Sequence, residues 1–97
     1  MADMAPLFRE MLHALQEGMT TLETELEAQS QAAVVDPDAL QRLAEVAGDF
    51  WQQADTLLDM MLDRGAEPPL VSETATLVEY FEDTAERLER LARAGRR

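Results

Sequence analysis

The chain has 97 residues, 46% of them apolar, with twenty acids against eight bases and no cysteine, for a net charge of −12. The missing cysteines exclude disulfides, thiolate metal sites and cysteine nucleophiles, and the acidic body argues against nucleic acid or anionic membrane as partners, because both would repel it. No apolar run approaches the ~18 residues of a membrane span, and the opening Met1-Ala2-Asp3-Met4-Ala5-Pro6 lacks the basic stretch and apolar core of a secretory signal, so a cytoplasmic protein is expected.

The first helix is expected to begin at Pro6, which suits a first turn because its missing N–H would be unpaired there anyway. Phe8, Leu12, Leu15, Met19, Leu22 and Leu26 then step four and three along the chain, the spacing that gathers side chains on one face of a helix at the period of coiled-coil-like packing. This helix should run to about Gln31, with Gly18 as its weak point. A linker is expected around Ala32-Ala33-Val34-Val35.

Asp36-Pro37-Asp38 is the clearest start signal in the chain. Asp36 can accept a hydrogen bond from the first turn, Pro37 fits the first helical position, and Asp38 favours the positive end of the helix dipole. The second helix carries the stripe Leu40, Leu43, Ala47, Phe50, Ala54, Leu57 and Met61, and Gly65 should supply its left-handed stop after Arg64. Ala44, Trp51, Leu58 and Leu62 form a shoulder that widens the apolar arc to about 160°, against roughly 100° on the first helix. A helix with two adjoining apolar strips touches two neighbours, which makes the second helix the central element.

Pro68-Pro69 is expected to break the chain again, with Ser72 capping a third helix that ends near Ala94. Its stripe is Val71, Val78, Phe81, Ala85, Leu88 and Ala92. On its surface Asp83–Arg87, Glu86–Arg90 and Glu89–Arg93 are acid-before-base pairs at i,i+4, each contributing ~0.3–0.5 kcal/mol if formed. Five of the eight arginines lie in residues 87–97, whereas residues 1–86 hold nineteen acids and three arginines.

These readings predict an all-α fold: one domain over 1–97, an antiparallel up-down-up three-helix bundle with long helices at about 6–31, 37–64 and 72–94. A chain of this length buries only ~60–65% of its unfolded surface, so pairing into a larger bundle is an expected source of further burial, and a homodimer is expected.

Chemistry has few places to reside. Ser30 and Ser72 are far from a base, no glycine-rich phosphate loop occurs, and the one histidine is His13, so no enzyme and no cofactor is expected. Glu10 and His13 have the Glu-x-x-His spacing of half a dimetal site, with Glu17 one turn on. Measured from Phe8, however, His13 lies near about 140°, Glu17 near about 180° and Glu10 near about 200°, all turned from the seam. A metal-carrying bundle would therefore need a dimer to complete the site.

The second helix offers more. Asp55, Asp59 and Asp63 repeat at i,i+4 along its outer side, a like-charge ladder that costs a few tenths of a kcal/mol per pair, roughly. Such a ridge is a plain solvated face, a docking strip for a basic partner, or a loose divalent-cation site, although no loop supplies the oxygen cage that calcium needs. Trp51 is either a core-edge residue packed under the third helix or an interface anchor, a role for which tryptophan is enriched. The function expected from this pattern is a non-catalytic protein-interaction module, an adaptor, chaperone or inhibitor that binds a basic or amphipathic protein. Trp51, Leu58 and Leu62 would be its apolar anchors, and Asp55, Asp59 and Asp63 its steering charges. The alternatives are the metal-carrying bundle and a self-assembling structural subunit whose partner is itself.

Overall fold

A computed structural model describes residues 3–96. They form three helices, α1 (Ala5–Gln31), α2 (Pro37–Asp63) and α3 (Pro68–Gly95). The bundle is up-down-up: Arg9 at the start of α1 lies 3.9 Å from Glu67 at the start of α3. At the other end, Arg96 donates to Asp38 at 2.9 Å, joining the end of α3 to the start of α2. The first of these is the proximal end and the second the distal end. The molecule measures 55 × 19 × 16 Å. Its radius of gyration of 15.5 Å exceeds the roughly 13 Å of a rounded domain this size, because long parallel cylinders cannot approximate a sphere.

Local chemistry sets the helix ends. Asp36 has extended backbone, as a residue before proline must, and its carboxylate accepts from the N–H of Asp38 at 3.0 Å. Replacing Asp36 with alanine should lower stability by about 1 kcal/mol, read as a shift in the denaturation midpoint with an unchanged slope. Asp36→Asn, which keeps the acceptor, should recover most of that loss. At the other end of α2 the N–H of Ala66 donates to the carbonyl of Met61 at 2.8 Å and that of Gly65 to Leu62 at 3.4 Å. Gly65 has a φ of +66°, so this is a Schellman stop that depends on glycine's freedom in the left-handed region.

The third helix begins four residues earlier than the sequence suggests. Pro68 and Pro69 do not break the chain; they occupy the first two helical positions, where the absent N–H groups have no intrahelical acceptor to lose. The carbonyl of Glu67 starts the helix by accepting from Leu70 and Val71 at 3.0 and 3.2 Å. Ser72 is therefore an exposed residue inside the helix and not its cap.

The buried stripe of α3 also differs, being Leu70, Thr74, Leu77, Phe81, Thr84, Leu88 and Ala92, while Val71, Val78 and Ala85 are only partly covered. The displacement follows from two threonines in core positions, which a purely apolar pattern passes over. Thr74 is fully buried because its hydroxyl can donate to the Leu70 carbonyl one turn back at 2.8 Å, leaving its methyl for the core.

Helix α2 is central, and it packs more closely against α3 than against α1. Small residues cause this. Ala44, Ala47 and Ala54 on α2 and Thr74, Thr84 and Ala92 on α3 are all buried, and short side chains let backbones approach. The buried residues of α1 are Phe8, Leu12, Leu15 and Leu22, which hold it farther off. One aromatic wedge closes the gap. The ring of Phe50 stacks on Phe81 with centroids 5.2 Å apart, and Tyr80 meets Phe81 edge-on at 5.4 Å. On its other side the Phe50 ring lies against Gly18, whose missing Cβ would stand only 2.6 Å from ring carbons.

The core is not continuous from end to end. A large cluster runs from Phe8 and Leu70 at the proximal end to Phe81. A separate one at the distal end comprises only Leu40, Ala44, Leu88 and Ala92. Half of that second cluster is alanine, so the distal end is the thinly packed part of the bundle.

Candidate functional site

The line Trp51, Asp55, Leu58 and Leu62 follows steps of four, three and four along α2, which places all four on one strip roughly 16 Å long. The structure grades their exposure. Trp51, Asp55 and Leu58 are partly buried, whereas Leu62 is 60% exposed, more than any other leucine. Asp59 and Asp63 are exposed and flank this strip. The six residues therefore do share a surface, with its apolar end open at Leu62 and its aromatic end half covered by α3.

Around Trp51 the surface is a shallow depression of about 240 Å³ lined by Gly48, Glu82, Ala85, Glu86 and Glu89. Ala85 and Gly48 are small enough to leave the indole accessible from one side. The three glutamates come from α3, so Trp51 sits among carboxylates supplied by a different helix from the aspartates beside Leu58 and Leu62. The indole Nε1 is buried and lacks a hydrogen-bond partner among the described residues. Leaving a donor in that condition costs about 1–3 kcal/mol.

Acids outnumber bases on this face, where Arg90 and Arg93 follow Glu86 and Glu89 by one turn of α3. The described residues form three ion pairs, Arg9–Glu67, His13–Glu17 and Arg96–Asp38, and none involves Asp55, Asp59, Asp63, Glu82, Glu86 or Glu89. The anticipated pairs Asp83–Arg87, Glu86–Arg90 and Glu89–Arg93 are thus not closed. Long side chains on an exposed helix lose as much conformational entropy by pairing as they gain in screened attraction.

The Glu10, His13 and Glu17 face is open. His13 Nε2 meets Glu17 Oε1 at 2.9 Å with both side chains about 70% exposed, and Glu10 is exposed as well. Among the described residues no three histidines, aspartates or glutamates converge as metal ligands would.

A second surface has no counterpart in the pattern of stripes. At the distal end, between the last turns of α1 and α3 and the start of α2, Leu26, Val35, Leu40, Leu88 and Leu91 line an open apolar cleft of about 430 Å³. Glu27, Gln29 and Ser30 edge it on α1, and Arg87 edges it on α3. Beside it stands Val34, 81% exposed, with Val35 at 55% and Leu91 at 49%. The two valines lie in the α1–α2 connection and Leu91 lies off the expected α3 stripe. An apolar pair in a linker is the signal that would have pointed to them.

Along the same α1–α3 groove, toward the middle of the bundle, Tyr80 lines a neighbouring hollow with Thr84 and Arg87. Partial burial and then the carboxylate of Glu23 across the groove hold the Tyr80 hydroxyl above its ordinary pKa. It stays neutral through the physiological range and lends the groove a hydrogen-bonding group without charge.

Comparison with family models, with curated proteins and with solved structures finds no match to this chain. No described helix is long and apolar enough to cross a membrane.

Proposed function

We propose that the protein is a non-catalytic interaction module that binds a basic, amphipathic helix of a partner protein along the outer face of α2. One observation carries this reading. Trp51, Leu58 and Leu62, with Asp55 between the first two, form a strip open at one end and bordered by carboxylates that make no ion pair among the described residues, Asp59 and Asp63 on α2 and Glu82, Glu86 and Glu89 on α3. An incoming helix with leucines at i and i+7 and arginines or lysines beside them would match both features. Apolar contacts would supply affinity, and the carboxylates orientation and rapid encounter.

The single tryptophan makes the test direct. A synthetic leucine–arginine amphipathic helix should perturb Trp51 fluorescence and bind more weakly as salt rises, whereas the same peptide with glutamate for arginine should not bind. Trp51→Ala should weaken binding of the arginine peptide by about 2 kcal/mol or more in calorimetry. Asp59→Lys with Asp63→Lys should weaken it while leaving the circular dichroism spectrum unchanged. Equal binding of the glutamate peptide, or binding indifferent to Trp51 and to both aspartates, would remove the α2 face from consideration.

A further inference from the structure

The distal cleft is a different surface, with different neighbours. It is apolar at its floor, yet its two walls carry opposite charges, Glu27 on α1 and Arg87 on α3. It lies at the end where α3 bears Arg87, Arg90, Arg93 and Arg96, so acids and arginines stand close together there. Directly beside it the α1–α2 connection presents Val34 to solvent, followed by Val35 and Asp36. A projecting apolar side chain and an unfilled apolar recess therefore sit side by side on one surface.

We propose that this cleft is the seat of a homodimer in which each copy places Val34 in the distal cleft of the other, against Leu91. A surface carrying both the projection and the recess is self-complementary under a two-fold axis, which is the requirement for an isologous contact. Charge selects the same occupant. Two copies with a net charge of −12 repel wherever acidic faces meet. At the distal end the acid that follows the projection, Asp36, meets the other copy's Arg87 on the wall of the recess. A basic helix, by contrast, would bring its charges against Arg87 and its neighbours and is favoured on the α2 face instead. The dimer also adds apolar contact where it is scarcest. Leu26 is only partly covered there, and the buried cluster beneath consists of Leu40, Leu88 and two alanines. This inference does not depend on the α2 reading, since the two surfaces share no residue.

The test uses the whole chain and its lack of cysteine. Light scattering after size exclusion should give a mass twice that of the chain at the highest concentrations, falling on dilution. Leu91→Glu and Val34→Glu should each raise the dimer dissociation constant by at least about 30-fold, the loss expected at a hot-spot position. Both positions are exposed in one copy, so circular dichroism melts of the dilute variants should overlay the unmodified protein. Val34→Cys protein mixed with Leu91→Cys protein should form a disulfide-linked heterodimer on mild oxidation. Thr56→Cys, exposed on α2, should not link to either. A monomer at every concentration overturns the proposal. So does a dimer that neither glutamate substitution weakens, or one in which positions 34 and 91 fail to cross-link.

Discussion

Phe81→Ala should destabilise this protein more than any other single truncation, by about 3–5 kcal/mol, the loss typical of a buried phenylalanine. The ring is fully buried and is the only one in contact with two other aromatic rings, Phe50 at 5.2 Å and Tyr80 at 5.4 Å. Its removal would leave a cavity where the three helices converge. The site has little means of closing that cavity. Phe50 is held on its far side by the backbone of Gly18, and the α2–α3 seam already has its small residues in contact. Chains of this size have a total stability of about 5–15 kcal/mol. A loss of 3–5 kcal/mol would therefore leave a protein that melts tens of degrees early, or a fluctuating helical state with diminished aromatic circular dichroism. Urea denaturation followed by far-ultraviolet dichroism measures it. Leu91→Ala in the same experiment should move stability by no more than about 0.5 kcal/mol, because Leu91 is half exposed. If the two substitutions cost the same, the packing around Phe81 is not the centre of the fold.

Periodicity made the architecture legible, and it worked best where apolar residues were the only occupants of the core. The α1 stripe is an example: Phe8, Leu12, Leu15 and Leu22 are buried, while Met19 and Leu26 are only partly covered. It was least reliable on α3, where Thr74 and Thr84 are core residues and two prolines lead a helix expected to start only after them, at Ser72. Both departures have one origin. A residue's class was read as its location, whereas location depends on whether each polar group finds a partner or needs none. Of the candidate site, the strip from Trp51 to Leu62 followed from spacing alone. The glutamates around Trp51 did not, because they belong to α3 and reach it only through tertiary packing. The distal cleft was equally invisible: it is a shortage of packing between helices, and a stripe pattern describes only what each helix brings.

Gly18 separates the two levels of description most sharply. As a glycine inside a helix it is a weak point, and alanine there should stabilise α1 by about 1 kcal/mol. In the bundle the same methyl group would stand 2.6 Å from two carbons of the Phe50 ring. An aromatic ring cannot yield by bending, and this one is stacked on Phe81 at an interplanar angle of 24°, so backing away would disturb the central contact. The alternative is for α1 to move outward, which uncovers Leu15 and Leu22 on the turns to either side. Overpacking of this kind costs about 1–3 kcal/mol, so Gly18→Ala should be net destabilising despite its better propensity. Gly18→Leu, with more volume to place, should lose about 3 kcal/mol, at the upper end of that range. A double-mutant cycle assigns the cause. Phe50→Leu removes the flat ring, and in that background Gly18→Ala should cost much less than it does alone, with a coupling of about 1–2 kcal/mol within the range for contacting residues. If Gly18→Ala instead raises the denaturation midpoint, the Phe50 ring does not rest on the α1 backbone, and the glycine is only an interruption in a helix. If it lowers the midpoint and Phe50→Leu relieves the loss, the glycine is the slot that brings α1 into register with the other two helices.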